Sequence, residues 1–90
     1  EQSVFQSPES MTVLEGSQVL LNCTYKMSVP PYLFWYKQLT DEAPQLLLQE
    51  LGSEEEETEF TARHNKTAYS YHLKKERIAE GDSGLYLCAL

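Results

Sequence analysis

Two cysteines and two histidines are the side chains here whose types could support redox, nucleophilic or metal chemistry. A nucleophile needs a base and an orienting group converging on it, and a metal needs ligands at coordinating spacing. No GxSxG, HExxH or CxxC pattern occurs, and His64 and His72 are expected to be exposed on separate strands. Catalysis, a metal site and a cofactor are therefore not expected. Cys23 and Cys88 stand near the two ends of the chain, and the chemistry that suits them is oxidation to one disulfide. Closing a loop of that length would contribute about 4 kcal/mol, against a typical total of about 5–15 kcal/mol. A pair implies an oxidising compartment, hence a secreted protein or an ectodomain. The other reading is two separate buried thiols in a cytosolic domain.

Ninety residues leave room for one domain, 1–90. A chain of this size buries only about 60–65% of its unfolded surface, so a covalent staple matters. The net charge of −7 argues against nucleic acid and anionic membrane surfaces as partners, and otherwise serves solubility. The amino end has no basic–apolar–small pattern, so any signal peptide is expected to have been removed. No apolar run approaches the roughly 20 residues of a membrane span, so direct insertion by this stretch is not expected and any anchor must lie outside it.

The elements that must hold the cysteines have an apolar period of two. In "QVLLNCTY" (18–25), Val19, Leu21 and Cys23 share a face; in "YLFWYKQ" (32–38), Leu33 and Trp35 oppose Phe34, Tyr36 and Gln38. "AYSYHL" (68–73) aligns Tyr69, Tyr71 and Leu73, and "GLYLCAL" (84–90) aligns Tyr86 with Cys88 and Leu85 with Leu87. Turn signals separate these runs at 15–17, 30–31, 41–44, 52–53, 65–67 and 81–84. Short strands so punctuated predict an all-β antiparallel sandwich, with one helical turn at Ile78 and Ala79.

Trp35 follows Cys23 by twelve residues, Tyr86 precedes Cys88 by two, and Asp82 precedes Tyr86 by four, giving D-x-x-x-Y-x-C. A disulfide between facing sheets, a Trp packed on it and a Tyr whose hydroxyl ties down the corner are the marks of an immunoglobulin sandwich. On these residues the chain resembles an immunoglobulin-superfamily V-set domain, specifically a T-cell receptor variable domain of α or δ type. "QSPESMTVLEGSQVLLNCTY", "LFWYKQ" with "APQLLL", and "SYHLKKERIAEGDSGLYLCAL" carry the likeness, which runs from Val4 to Leu90.

The resemblance implies an antigen-recognition domain of a plasma-membrane receptor, working outside the cell by surface presentation. The contact loops would be 26–32, with Met27, Ser28, Val29, Pro30, Pro31 and Tyr32; 50–59, with Leu51, Gly52, Ser53, Glu54 and Glu55; and the segment opening at Ala89 and Leu90. The paired prolines restrict the first loop and reduce the entropy lost on binding. Five of residues 54–59 are Glu, which favours an extended, solvated loop. Phe34, Tyr36, Gln38, Pro44, Leu46 and Leu87 form an outward stripe that the resemblance assigns to pairing with a β- or γ-type variable domain, Gln38 bonding its counterpart across the axis. The ligand it implies is an MHC or MHC-like molecule, peptide- or lipid-loaded. Asn65-Lys66-Thr67 and Asn22-Cys23-Thr24 match the N-glycosylation pattern, Asn65 in a turn and Asn22 in a strand.

Two features depart from the family. The Arg that often meets the corner aspartate is replaced by Glu59, leaving Arg63 or Arg77 as candidates for Asp82. The Phe-Gly-x-Gly strand does not follow Cys88, so the chain is expected to be a fragment, or to receive that strand from a partner. The alternatives are a V-set adhesion or innate-receptor ectodomain, and a surrogate-type V domain completed by a partner strand.

Overall fold

A computed structural model describes residues 3–7, 10–11, 16–50, 54–57 and 59–90. Its strands are β1 (Ser3–Ser7), β2 (Ser10–Met11), β3 (Val19–Lys26), β4 (Phe34–Gln38), β5 (Gln45–Gln49), β6 (Glu54–Glu57), β7 (Phe60–Asn65), β8 (Ser70–Lys75) and β9 (Gly84–Ala89). They form two antiparallel sheets, β1-β3-β8-β7-β6 and β2-β9-β4-β5. The all-β sandwich expected from the period of two is the architecture observed.

Alternation decides which side chains meet between the sheets. Leu21, Cys23 and Tyr25 of β3 are buried while Leu20, Asn22 and Thr24 are exposed. Trp35, Tyr71, Tyr86, Phe60, Leu21, Leu33, Leu73 and Cys23 each keep less than 2% of their surface. Burying one large apolar side chain contributes about 1.5–3 kcal/mol, so this cluster is the main favourable term. The Cys23–Cys88 disulfide crosses it with a Cα–Cα distance of 6.3 Å. Trp35 joins the sheets by a hydrogen bond as well, its Nε1–H donating to the Tyr71 carbonyl at 2.8 Å.

The corner before β9 is tied down as expected, by the Tyr86 hydroxyl donating to the Asp82 carbonyl at 2.5 Å. The charge partner of Asp82 is neither Arg63 nor Arg77, both of which are exposed. It is Lys75, whose Nζ lies 2.7 Å from Oδ2. Lys75 ends the inward set Tyr71, Leu73, Lys75, which carries its ammonium to the buried corner and to 5.1 Å from the Phe60 ring centre. Burial pushes the Asp82 carboxyl up, but hydrogen bonds from Lys75 and the Ala79 N–H and the charges of Lys75 and Lys37 outweigh it and hold it below its ordinary value.

The helical turn expected at Ile78 and Ala79 falls instead at Glu80–Asp82, as one turn of 3-10 helix. The Ile78 N–H and C=O are taken by the backbone of Ser17 and Gly16, both at 2.8 Å, while its side chain enters the core. Gly16 serves that bridge with a φ of 87°, a conformation glycine adopts at little cost.

Candidate functional site

The outward side of β4, β5 and β9 carries the stripe read from the sequence. Tyr36 sits across from Leu46 on one neighbour and Leu87 on the other, and Phe34 across from Gln49 and Ala89. The β4–β5 register shifts between Trp35 and Tyr36, which skips Leu47 and brings Leu46 opposite Tyr36. Leu46 is 49% exposed, Pro44 is exposed, and Phe34, Tyr36, Gln38 and Leu87 are half-buried. Leu85, across from Gln38, belongs to the same face; the sequence aligns it with Leu87, but the stripe read there did not include it. The Gln38 amide donates within the chain, from Nε2 to the Glu42 carbonyl at 2.8 Å.

An aromatic ladder connects this face to the loop end. The Tyr32 and Phe34 rings meet edge-on at 5.6 Å, and Phe34 and Tyr36 lie 6.2 Å apart. In loop 26–32, Ser28, Val29, Pro30 and Tyr32 are exposed and Pro31 is half-buried. Met27 turns inward and packs on the core, as does Leu90, so these two anchor their segments more than they present a surface. Ala89 is half-buried at the end of β9. Leu51, Gly52 and Ser53 lie outside the described residues.

The glutamate run is not a free loop. Glu54–Glu57 is extended, as its charge favours, but it pairs with β7 as the edge strand of the larger sheet, Glu54 across from Arg63 and Glu55 across from Ala62. Backbone hydrogen bonding to an otherwise open edge depends little on side-chain type, so repulsion between glutamates does not prevent it.

A family model, "Immunoglobulin V-set domain", matches residues 6–90. Mouse T-cell receptor alpha chain V region CTL-F3 is 42% identical over 98% of this chain and 68% of its own length. Human T cell receptor alpha variable 9-1 is 37% identical over 98% of this chain and 80% of its own, and human T cell receptor alpha variable 3 is 39% identical over 99% and 81%. The chain belongs to the V-set family, with the T-cell receptor α variable regions.

A T-cell receptor variable domain is an extracellular binding module of a receptor, and V-set domains are not an enzymatic family. Among the described residues no helix is long and apolar enough to cross a membrane. In this V-set domain His64 departs from the exposure expected of it. It is buried, not exposed, with Nδ1 at 2.5 Å from Glu50 Oε2 and Nε2 at 2.6 Å from the Tyr25 hydroxyl. Burial, then the charges of Glu50 and Tyr69, pushes the Tyr25 phenol up. This buried chain fixes Glu50, the first residue of the second loop, whose N–H also donates to the Leu33 carbonyl at 2.9 Å. The signal was present in the sequence, since Phe60, Ala62 and His64 alternate inward along β7.

His72 is half-buried rather than exposed, and its Nδ1 accepts the Cys23 N–H at 3.0 Å. Asn22 lies exposed on β3, and Asn65 lies exposed where β7 enters the turn 66–69. That turn reaches the loop end of the V-set domain, because the Tyr69 carbonyl accepts the Tyr25 N–H at 3.0 Å. Strand order, not local pattern, puts it there.

Proposed function

We propose that this domain pairs, through the outer face of β4, β5 and β9, with a β- or γ-type variable domain. The pair presents loop 26–32, the second loop where it opens at Glu50, and the segment after Cys88 to an MHC or MHC-like ligand. The observation that carries the reading is Tyr36 flanked by Leu46 and Leu87, with Phe34 beside it. An aromatic and aliphatic face on a small soluble domain is costly to leave wet, and such a stripe marks an association surface. The aromatic ladder to Tyr32 makes the pairing face and the first loop one mechanical unit, so docking a partner also supports that loop.

The edge of β9 supports a further element in the same domain. Among the described residues, β2 pairs with β9 at Gly84 and Leu85. Further along, the Tyr86 carbonyl and the Cys88 N–H meet the side-chain amide of Gln6. A strand carrying Phe-Gly-x-Gly along this edge would complete the sheet and position the third loop.

Sedimentation of the domain alone and with a β-type variable domain tests the reading. The expected result is a one-to-one heterodimer in the mixture. Independent sedimentation of the two at concentrations well above about 10 μM, the weak end of specific association, would overturn it.

A further inference from the structure

The sequence holds two acceptor patterns for N-glycosylation, and the fold treats them differently. Asn65 ends β7, and Asn65, Lys66, Thr67, Ala68 and Tyr69 are all exposed. The Asn65 Oδ1 accepts the Thr67 N–H at 3.1 Å and the Ala68 N–H at 3.0 Å. The carbonyl end of the amide is thus turned onto the turn's backbone, and these bonds leave Nδ2, the atom that would carry the sugar, uncommitted on an exposed residue. Asn22 is also exposed, but its backbone is locked in β3 across from Ser7 of β1, and the middle residue of its pattern is the disulfide-bonded Cys23.

We propose that Asn65 carries an N-linked glycan, and that this glycan stands at the recognition end of the domain beside loop 26–32. In the transfer, Nδ2 attacks the anomeric carbon of an oligosaccharide carried on a polyisoprenyl diphosphate. The C–N bond forms as the C–O bond to the diphosphate breaks, the diphosphate leaves with the electron pair, and the amide gives up one proton. The reaction belongs to the secretory route that also oxidises Cys23 and Cys88.

The location follows from the sheet. Ser70 is the register partner of both Asn65 on β7 and Thr24 on β3. Beyond it Tyr69 bonds the Tyr25 backbone and meets the Tyr25 ring edge-on at 5.9 Å. One residue later β3 ends at Lys26, where the first loop starts. Asn65 lies on the five-stranded sheet, so the glycan leaves the outer face of β4, β5 and β9 clear. A bulky solvated chain there restricts the side from which a ligand reaches the first loop.

The receptor chain containing this domain is expressed with its partner chain in mammalian cells and its peptides are mapped after enzymatic deglycosylation in heavy-oxygen water. Labelled conversion of Asn65 to Asp is expected, and an unmodified Asn65 overturns the proposal whatever is found at Asn22. Thr67→Ala keeps Asn65 and the backbone N–H groups of the turn but removes the acceptor pattern, so it should abolish one glycan's mobility shift. Asn22→Gln should leave the Asn65 modification in place. Acylation of Lys66 and Lys26 should rise about twofold or more in Thr67→Ala, because a bulky shield is gone, with Lys74 unchanged. Equal acylation of Lys26 in both proteins would overturn the placement beside the first loop.

Discussion

Lys75 and Asp82 form a buried ion pair, Nζ to Oδ2 at 2.7 Å, that joins the end of β8 to the corner before β9. Asp82 also accepts the Ala79 N–H at 2.7 Å and offers its carbonyl to the Tyr86 hydroxyl. One residue therefore fixes the charge, the 3-10 turn and the tyrosine that enters the core.

Removing one member of such a pair strands the other, so Asp82→Asn and Lys75→Met should each destabilise by about 3–5 kcal/mol. Because Asp82 is held below its ordinary value, its contribution is present above about pH 4 and fades as pH falls through the folded-state value. Urea unfolding across pH 2–7 checks this, and a parallel acid loss in Asp82→Asn and the parent would contradict it.

His72 gives a second pH dependence at a different pH. Burial pushes its imidazole down, and Nδ1 must be unprotonated to accept the Cys23 N–H. The unfolded chain then binds more protons in the window below about 6.5, so stability is full above that pH and declines as pH falls. Replacing His72 by Gln should flatten the slope of stability between pH 5 and 7, measured by thermal unfolding. An unchanged slope would place the titration elsewhere.

The chain Glu50–His64–Tyr25 should behave as one buried unit. Tyr25→Phe removes a single hydroxyl and should cost about 1 kcal/mol. His64→Ala leaves Glu50 buried without its hydrogen-bond partner and opens a cavity, and should cost more, about 2–3 kcal/mol. Guanidinium unfolding of both variants and of the double variant checks the ordering, and additive costs would mean that the residues act independently.

Gln6 acts at the opposite edge of the sandwich, its side-chain amide spanning the Tyr86 carbonyl and the Cys88 N–H of β9. Gln6→Ala should cost about 1–2 kcal/mol and speed hydrogen exchange at the Cys88 amide. Exchange at Cys88 unaffected by the substitution would show that the edge is held by something else.

What could be read in the sequence follows a physical division. Leu21, Cys23, Trp35 and Tyr86 were placed correctly because apolar alternation and burial agree at each. His64 and the partner of Asp82 were missed for a shared reason. Each completes an inward run, Phe60-x-Ala62-x-His64 and Tyr71-x-Leu73-x-Lys75, with a polar residue. Polarity argued for exposure where the strand period argued for burial, and the period prevailed because a partner waited inside, Glu50 for one and Asp82 for the other. The pairing of Glu54–Glu57 with β7 and the arrival of turn 66–69 beside β3 depend on which strands become neighbours. A local reading has no access to that order.

The most direct test of the account compares two aspartate substitutions at exposed apolar sites on opposite sheets. Leu46 is 49% exposed on the proposed pairing face, and Phe5 is 59% exposed on β1 of the other sheet. The dissociation constant for a β-type variable domain is measured for Leu46→Asp, Phe5→Asp and the parent. A charge in the desolvated centre of an interface should weaken binding by about tenfold or more, roughly 1.4 kcal/mol, while one outside it should leave binding unchanged. Equal weakening by both, or a larger loss at Phe5, would contradict the assignment of the β4–β5–β9 face.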